Sequence, residues 1–209
     1  MTWESNFNKA GLPRKGSFRS IMGYANESLA IGRALQCGFN LFFKAWRDSA
    51  YDAVLDYNGI LFRVEIKGTQ TNTLGVTSGG RAGRQINREA GSREHVLQKE
   101  DADFLFGIKG QKGDSYIIPI EVIQIINQKT IALSKLEGYK EKWGIFVGTN
   151  DFPPKVIREG FLDKTVDELN DICTTHNVTI ITKLTRSSTP LSIKNSLVIS
   201  IWNHIYDNV

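Results

Sequence analysis

One dipeptide constrains this chain more than anything else in it. Asn58-Gly59 sits between two runs of alternating apolar and polar residues, 51–57 and 60–67. Asn-Gly in that setting specifies a two-residue hairpin, because a type I′ turn needs φ > 0 at both central positions. The turn also fixes the register. Tyr57 pairs with Ile60, and counting back along both strands brings Asp52 opposite Glu65. Ala53, Leu55, Tyr57, Ile60, Phe62, Val64 and Ile66 then share a core face. Asp52, Val54, Asp56, Leu61, Arg63, Glu65 and Lys67 share the other.

Directly paired residues hold their Cβ atoms about 4.5–5.5 Å apart, so two facing carboxylates repel unless something compensates. A divalent cation is one compensation, since Mg²⁺ takes one or two carboxylates and completes its shell with water and phosphate oxygens. Lys67 lies two residues beyond Glu65 on the same face. An ammonium there can orient a water or neutralise charge developing at phosphorus. Acid, acid and lysine on one patch suit metal-assisted phosphodiester hydrolysis. A solvated surface face of a sheet shows the same spacing. Asp56 shares the face but lies nearer the turn, in a secondary position.

Other elements are read from local pattern. Asn26 has the chemistry of a helix N-cap, with Glu27 in the first turn, where it would favour the helix dipole. Leu29, Ala30, Ala34 and Leu35 recur at helical spacing, and Gly38 is placed to end the helix. Residues 39–43 read as a strand, and 103–108 with 116–120 as a strand pair. Residues 121–126 read as a further strand or a short helix. Residues 165–174 read as a helix and 178–182 as a strand. Residues 197–205 are apolar enough for the core or a subunit interface. His95, His176 and His204 are isolated and read as structural or exposed.

Composition removes several function classes. Two cysteines, Cys37 and Cys173, are too few for a disulfide scaffold or a four-ligand zinc site. No apolar run approaches the roughly 18–20 residues that span a bilayer, and the N-terminus lacks the apolar core of a signal peptide. The expectation is a soluble protein with no membrane partner, cytoplasmic and nucleoid-associated when bound to DNA. The formal net charge is only +4, but it is unevenly placed. Lys9, Arg14, Lys15 and Arg19 face only Glu4 in residues 1–20, and Arg81, Arg84, Arg88, Arg93 and Lys99 outnumber Glu89 and Glu94 in residues 68–99. Basic charge gathered in two segments is the footprint of a polyanion, and an ordinary solvated surface can look alike.

The stretch GYANESLAIGRALQCGFNLFFKAW…YDAVLDYNGILFRVEIKGTQ resembles the core of the PD-(D/E)xK nuclease superfamily. That group includes type II restriction enzymes, homing endonucleases and Holliday-junction resolvases. The resemblance covers residues 23–70 and continues more loosely through ADFLFGIKG…SYIIPIEV to about residue 125. It implies an α/β fold, a restriction endonuclease-like core with a mixed central sheet flanked by helices. It further implies that Asp52 and Glu65 hold Mg²⁺ (Mn²⁺ substituting) together with the backbone carbonyl of Ile66. Lys67 becomes the catalytic lysine and Glu27 the helix acid, while Gln70 matches loosely a polar position near the scissile phosphate. The motif's proline is absent, and Tyr51 precedes Asp52.

The segment TSGGRAGRQINREAGSR offers Arg81, Arg84, Gln85, Asn87, Arg88 and Arg93 as donors. Arg suits guanine O6/N7, and Asn or Gln suits adenine N6/N7. A basic loop that touches only phosphates is the simpler alternative. Pro13, Arg14, Lys15 and Arg19 suit an arm along the DNA backbone. The chain therefore divides into a basic arm (1–20), a nuclease core (21–145) with an Arg/Gly-rich DNA-contacting insert at about 71–98, and a C-terminal extension of the same domain (146–209) for dimerisation or DNA contact. The leading expectation is a Mg²⁺-dependent, sequence-specific endonuclease of the type II restriction kind, acting on double-stranded DNA as a homodimer. A homing endonuclease, a Holliday-junction resolvase, and a DNA-binding module with an inactive nuclease core are the alternatives.

Overall fold

The computed structural model describes residues 15–43, 49–79, 94–110, 113–180 and 189–209, without the side chains of residues 15–20. Its first element, helix α1 (Lys15–Gln36), begins well before Asn26. The expected start at Asn26 is corrected, and residues 15–20, the end of the expected arm, have helical backbone. Asn26, Ala30 and Ala34 follow at intervals of four and are all buried. The residue with N-cap chemistry is therefore a member of the stripe that faces the core. At the other end, Gly38 has φ +83. Its N–H donates to Leu35 O at 3.0 Å, and that of Phe39 to Ala34 O at 3.0 Å. Those paired bonds close a Schellman end, as the glycine implies.

Strands β1 (Asn40–Phe43), β2 (Ala53–Tyr57) and β3 (Ile60–Thr69) follow. Asn58 and Gly59 have φ of 52 and 82, and the register runs from Tyr57↔Ile60 to Ala53↔Val64, as the turn dictates. The alternation is also as read: Ala53, Leu55, Phe62, Val64 and Ile66 are buried, while Leu61 is 48% exposed. Three short strands come next, β4 (Thr73–Gly75), β5 (Thr77–Ser78) and β6 (His95–Val96). They precede β7 (Phe104–Lys109) and β8 (Asp114–Pro119). The main sheet has the order β1-β2-β3-β7-β8. The β3–β7 junction is parallel and the others are antiparallel. The fold is thus a mixed α/β architecture with a five-stranded central sheet flanked by helices.

Residues 120–126 resolve as a helix, α2 (Ile120–Ile126), followed by β9 (Thr130–Ala132), which pairs with β4. Helices α3 (Pro154–Glu159), α4 (Val166–Thr175) and α5 (Pro190–Asp207) complete the chain. Thr165 caps α4 with a reciprocal bond to Glu168, and the helix expected at 165–174 begins one residue later, at Val166. The strand expected at 178–182 is not formed over the described residues 178–180. Asn177 takes a left-handed φ of 53, and Val178 N–H returns to Cys173 O at 2.8 Å. Its backbone N–H closes the end of α4 and its side chain is buried, so no ladder starts there.

One hydrophobic core extends from Ala30 to Tyr206. On the α1 face of the sheet, Phe146 lies 5.1 Å from Phe62 and 5.0 Å from Phe104 between ring centroids. Residues 197–205 belong to this core: Trp202 packs on Phe104 and Phe161, and Tyr206 Oη donates to Ile117 O at 2.6 Å. Among the described residues, no helix is long and apolar enough to cross a membrane.

Candidate active site

The sheet is built so that β3 runs past the end of β2. Along β3, Ile60, Phe62 and Val64 turn their backbone bonds toward β2, and the alternation assigns the next such N–H to Ile66. By then β2 has ended. The Asp52 side chain takes its place: Ile66 N–H donates to Asp52 Oδ2 at 2.9 Å. Asp52 N–H itself donates to Val64 O at 2.9 Å, beside Ala53, the residue paired with Val64. Two residues of one strand thus meet one of the other, which is a bulge. This corrects the expected direct pairing of Asp52 with Glu65. The bulge re-aims the aspartate toward the Ile66 backbone.

Glu65 is 5% exposed. Its Oε1 accepts from Lys67 Nζ at 2.5 Å, with both residues on the polar face that the register assigned them. A carboxylate so deeply placed costs several kcal/mol of desolvation unless paired, and the ammonium supplies the pairing. Lys67 keeps about one-third of its side chain exposed.

Helix α1 brings the third acid. Glu27 lies in the middle of the helix, which removes the first-turn dipole role. Glu27, Ile66, Lys67 and Gln70 line one cleft of about 340 Å³ between α1 and the end of β3. The close approach rests on Gly68. A Cβ there would stand 1.7 Å from Asn26 Nδ2, so only glycine lets the helix lie this near the strand. Among the described residues, no three His, Cys, Asp or Glu side chains form a ready metal cluster.

Other residues of the polar face serve the fold. Asp56 Oδ1 accepts from Gly59 N–H at 2.8 Å and so stabilises the turn. Arg63 pairs with buried Asp103 at 2.9 Å and donates to the carbonyls of Lys99 and Glu100. The Asp103 hydrogen bond raises the Arg63 pKa further above its ordinary value. His95 bonds Asp101 at 2.8 Å, and the His176 ring lies tilted against Phe152, 4.7 Å between centroids. Both cysteines are free.

The DNA-contact candidates Arg81, Arg84, Gln85, Asn87, Arg88 and Arg93 lie outside the described residues, as does the side chain of Lys15. The strands that bracket the Arg-rich segment pair with each other: Thr77 faces Val96, and Ser78 faces His95. Glu94 fastens this stem by accepting from Thr77 Oγ1 at 2.9 Å and Lys129 Nζ at 3.2 Å. The Thr77 hydrogen bond, followed by the lysine, lowers the Glu94 pKa.

Sequence reasoning missed Glu121, which is 1% exposed. Its carboxylate accepts from Phe161 N–H at 2.9 Å, Leu162 N–H at 3.0 Å and Trp202 Nε1 at 2.8 Å. All three partners lie 40 or more positions away in the chain, so no local signal marks it.

No protein-family model and no curated protein matches the chain. Among solved structures it is similar to a bacterial homing endonuclease, I-Ssp6803I, with 24% identity and a TM-score of 0.49, over 61% of this chain and 92% of that one.

Proposed function

We propose that the protein is a metal-dependent endonuclease hydrolysing phosphodiester bonds in double-stranded DNA, of the sequence-specific restriction type and acting as a homodimer. The observation that carries this reading is the end of β3. There Asp52 turns onto the Ile66 backbone, buried Glu65 holds Lys67, and Glu27 lines the cleft that Lys67 enters. The PD-(D/E)xK resemblance assigns roles to the same four residues.

The donor set suits a hard divalent cation. Carboxylate and carbonyl oxygens are what Mg²⁺ takes, usually with one or two carboxylates and the remaining positions left for water and phosphate. Asp52, Glu65 and the Ile66 carbonyl would hold the ion, with Mn²⁺ able to substitute. When bound, it would lower the pKa of a water and offset charge on the phosphate.

The chain's own groups do the rest. Lys67 Nζ donates to the attacking water and orients it, while Glu65 fixes the ammonium within reach. The water oxygen bonds to phosphorus as the bond to the leaving oxygen breaks, the water giving up one proton to solvent and the leaving oxygen taking one up from it. Glu27 steadies the site from the helix side, and Gln70 contacts the phosphate strand beside it. Arg81, Arg84, Gln85, Asn87, Arg88, Arg93 and Lys15 hold and read the duplex. A homing or junction-resolving enzyme would use the same centre on another substrate.

The test is incubation with mixed linear, plasmid and four-way-junction DNA in Mg²⁺, beside Asp52→Ala and Lys67→Ala. Discrete fragments from the parent, lost in both variants, support the reading. Absence of cleavage by the parent, or equal cleavage by the variants, contradicts it. Binding without cleavage identifies a DNA-binding module with an inactive core.

A further inference from the structure

The notch at Gly68 lies beside two residues of the proposed centre that line the same cleft. Lys67 precedes it on β3, and Glu27 follows Asn26 on α1. Asn26 is 8% exposed, and its carboxamide occupies the space a Cβ at position 68 would take, with Nδ2 at 1.7 Å, Cγ at 2.1 Å and Oδ1 at 2.8 Å. Ala30 and Ala34 continue the same stripe of small buried residues along the helix. At this point of the cleft the strand leaves no room for a side chain beneath the helix.

We propose that Asn26 and Gly68 are positioning residues: their contact sets the depth at which α1 docks and so fixes Glu27 relative to Lys67 across the cleft. This rests on the nuclease reading above. A methyl group at position 68 must find an ordinary contact of 3.4 Å or more, so α1 has to retreat by roughly 2 Å or the asparagine must leave its place. A misplacement of about 1 Å can cost a catalytic group on the order of 100-fold in rate.

Two readouts test the proposal. Spin labels at Tyr24→Cys on α1 and Leu61→Cys on β3, both exposed positions, report the docking distance in a Cys37→Ser background. Single-turnover cleavage in Mg²⁺ reports the chemistry, and DNA anisotropy without divalent cation reports binding. Gly68→Ala should lengthen the label distance and slow cleavage by about 100-fold, with DNA affinity held within about threefold. Adding Asn26→Ala should restore both distance and rate toward the parent. An unchanged label distance, or a rate loss that Asn26→Ala fails to relieve, overturns the proposal. If Gly68→Ala does not fold, the double variant still must, and its failure to fold also overturns it. A parent that cleaves no DNA sinks the nuclease reading separately, while the label distance still decides whether the contact sets the helix.

Discussion

Replacing Glu121 by alanine should unfold this protein more readily than any change at its surface. The carboxylate lies at the start of α2, and three N–H groups from distant segments converge on it. Hydrogen bonds to a charged group contribute about 1.5–3 kcal/mol each, and every buried donor left without a partner costs about 1–3 kcal/mol. These terms are not additive, because Phe161 and Leu162 are neighbours and relax together. Breaking a buried charged network typically costs about 3–5 kcal/mol, so about 4 kcal/mol is expected. For a chain of this size that lowers Tm by roughly 8–16 °C. Urea unfolding followed by tryptophan fluorescence suits the test, since Trp202 is itself a donor. Glu121→Gln should recover only part of the loss, because its NH₂ group meets donors on at least one side. A fall of less than about 1 kcal/mol for Glu121→Ala would refute the claim that this carboxylate ties the C-terminal segments to the sheet.

Three further outcomes follow from the same geometry. Gly160→Ala should cost stability through two separate effects, since φ is +75 and a Cβ would stand 2.2 Å from Glu121 Oε1; thermal melts should show it below the parent and close to Glu121→Ala. The β5–β6 stem should loosen in acid. Glu94 has a lowered folded-state pKa, caused first by the Thr77 hydroxyl, so its contribution is present above the unfolded value of about 4.5 and is lost as pH falls through the folded one. Protection factors of the His95 and Val96 amides should therefore drop below that pH, and less so in Thr77→Val. Tyr139, pushed up to about 12 by burial, stabilises the fold below its unfolded value near 10 and ceases to do so as pH rises through 12. Spectrophotometric titration should show it ionising only together with alkaline unfolding.

What could be read from the chain was local. Asn58-Gly59 determined the turn, the register and both faces of the hairpin, because φ at two residues and a period of two leave no freedom. Gly38 marked a helix end for an equally local reason. The failures came where a residue's role depends on a distant partner. Asn26 has capping chemistry, but burial against Gly68 makes it a core position. Asp52 was assigned the right strand end and the wrong pairing, because alternation alone cannot reveal a bulge. The Arg63–Asp103 clamp and the Glu121 socket join segments 40 residues apart or more, beyond any periodic signal. Val178 shows the reverse error, where a β-branched residue next to a helix end closes it with its backbone N–H and residues 178–180 form no strand.

Lys67 is where the account is most exposed, since its ammonium is both the counter-charge of buried Glu65 and the proposed water-orienting group. The decisive measurement is the single-turnover rate of DNA cleavage in Mg²⁺ by Lys67→Met, with DNA affinity measured in parallel. Loss of a positioned donor of this kind lowers the rate by about 10²–10⁴-fold. Lys67→Met should show that fall with affinity nearly unchanged. Cleavage at the parent's rate, or a loss explained wholly by weaker binding, would contradict it.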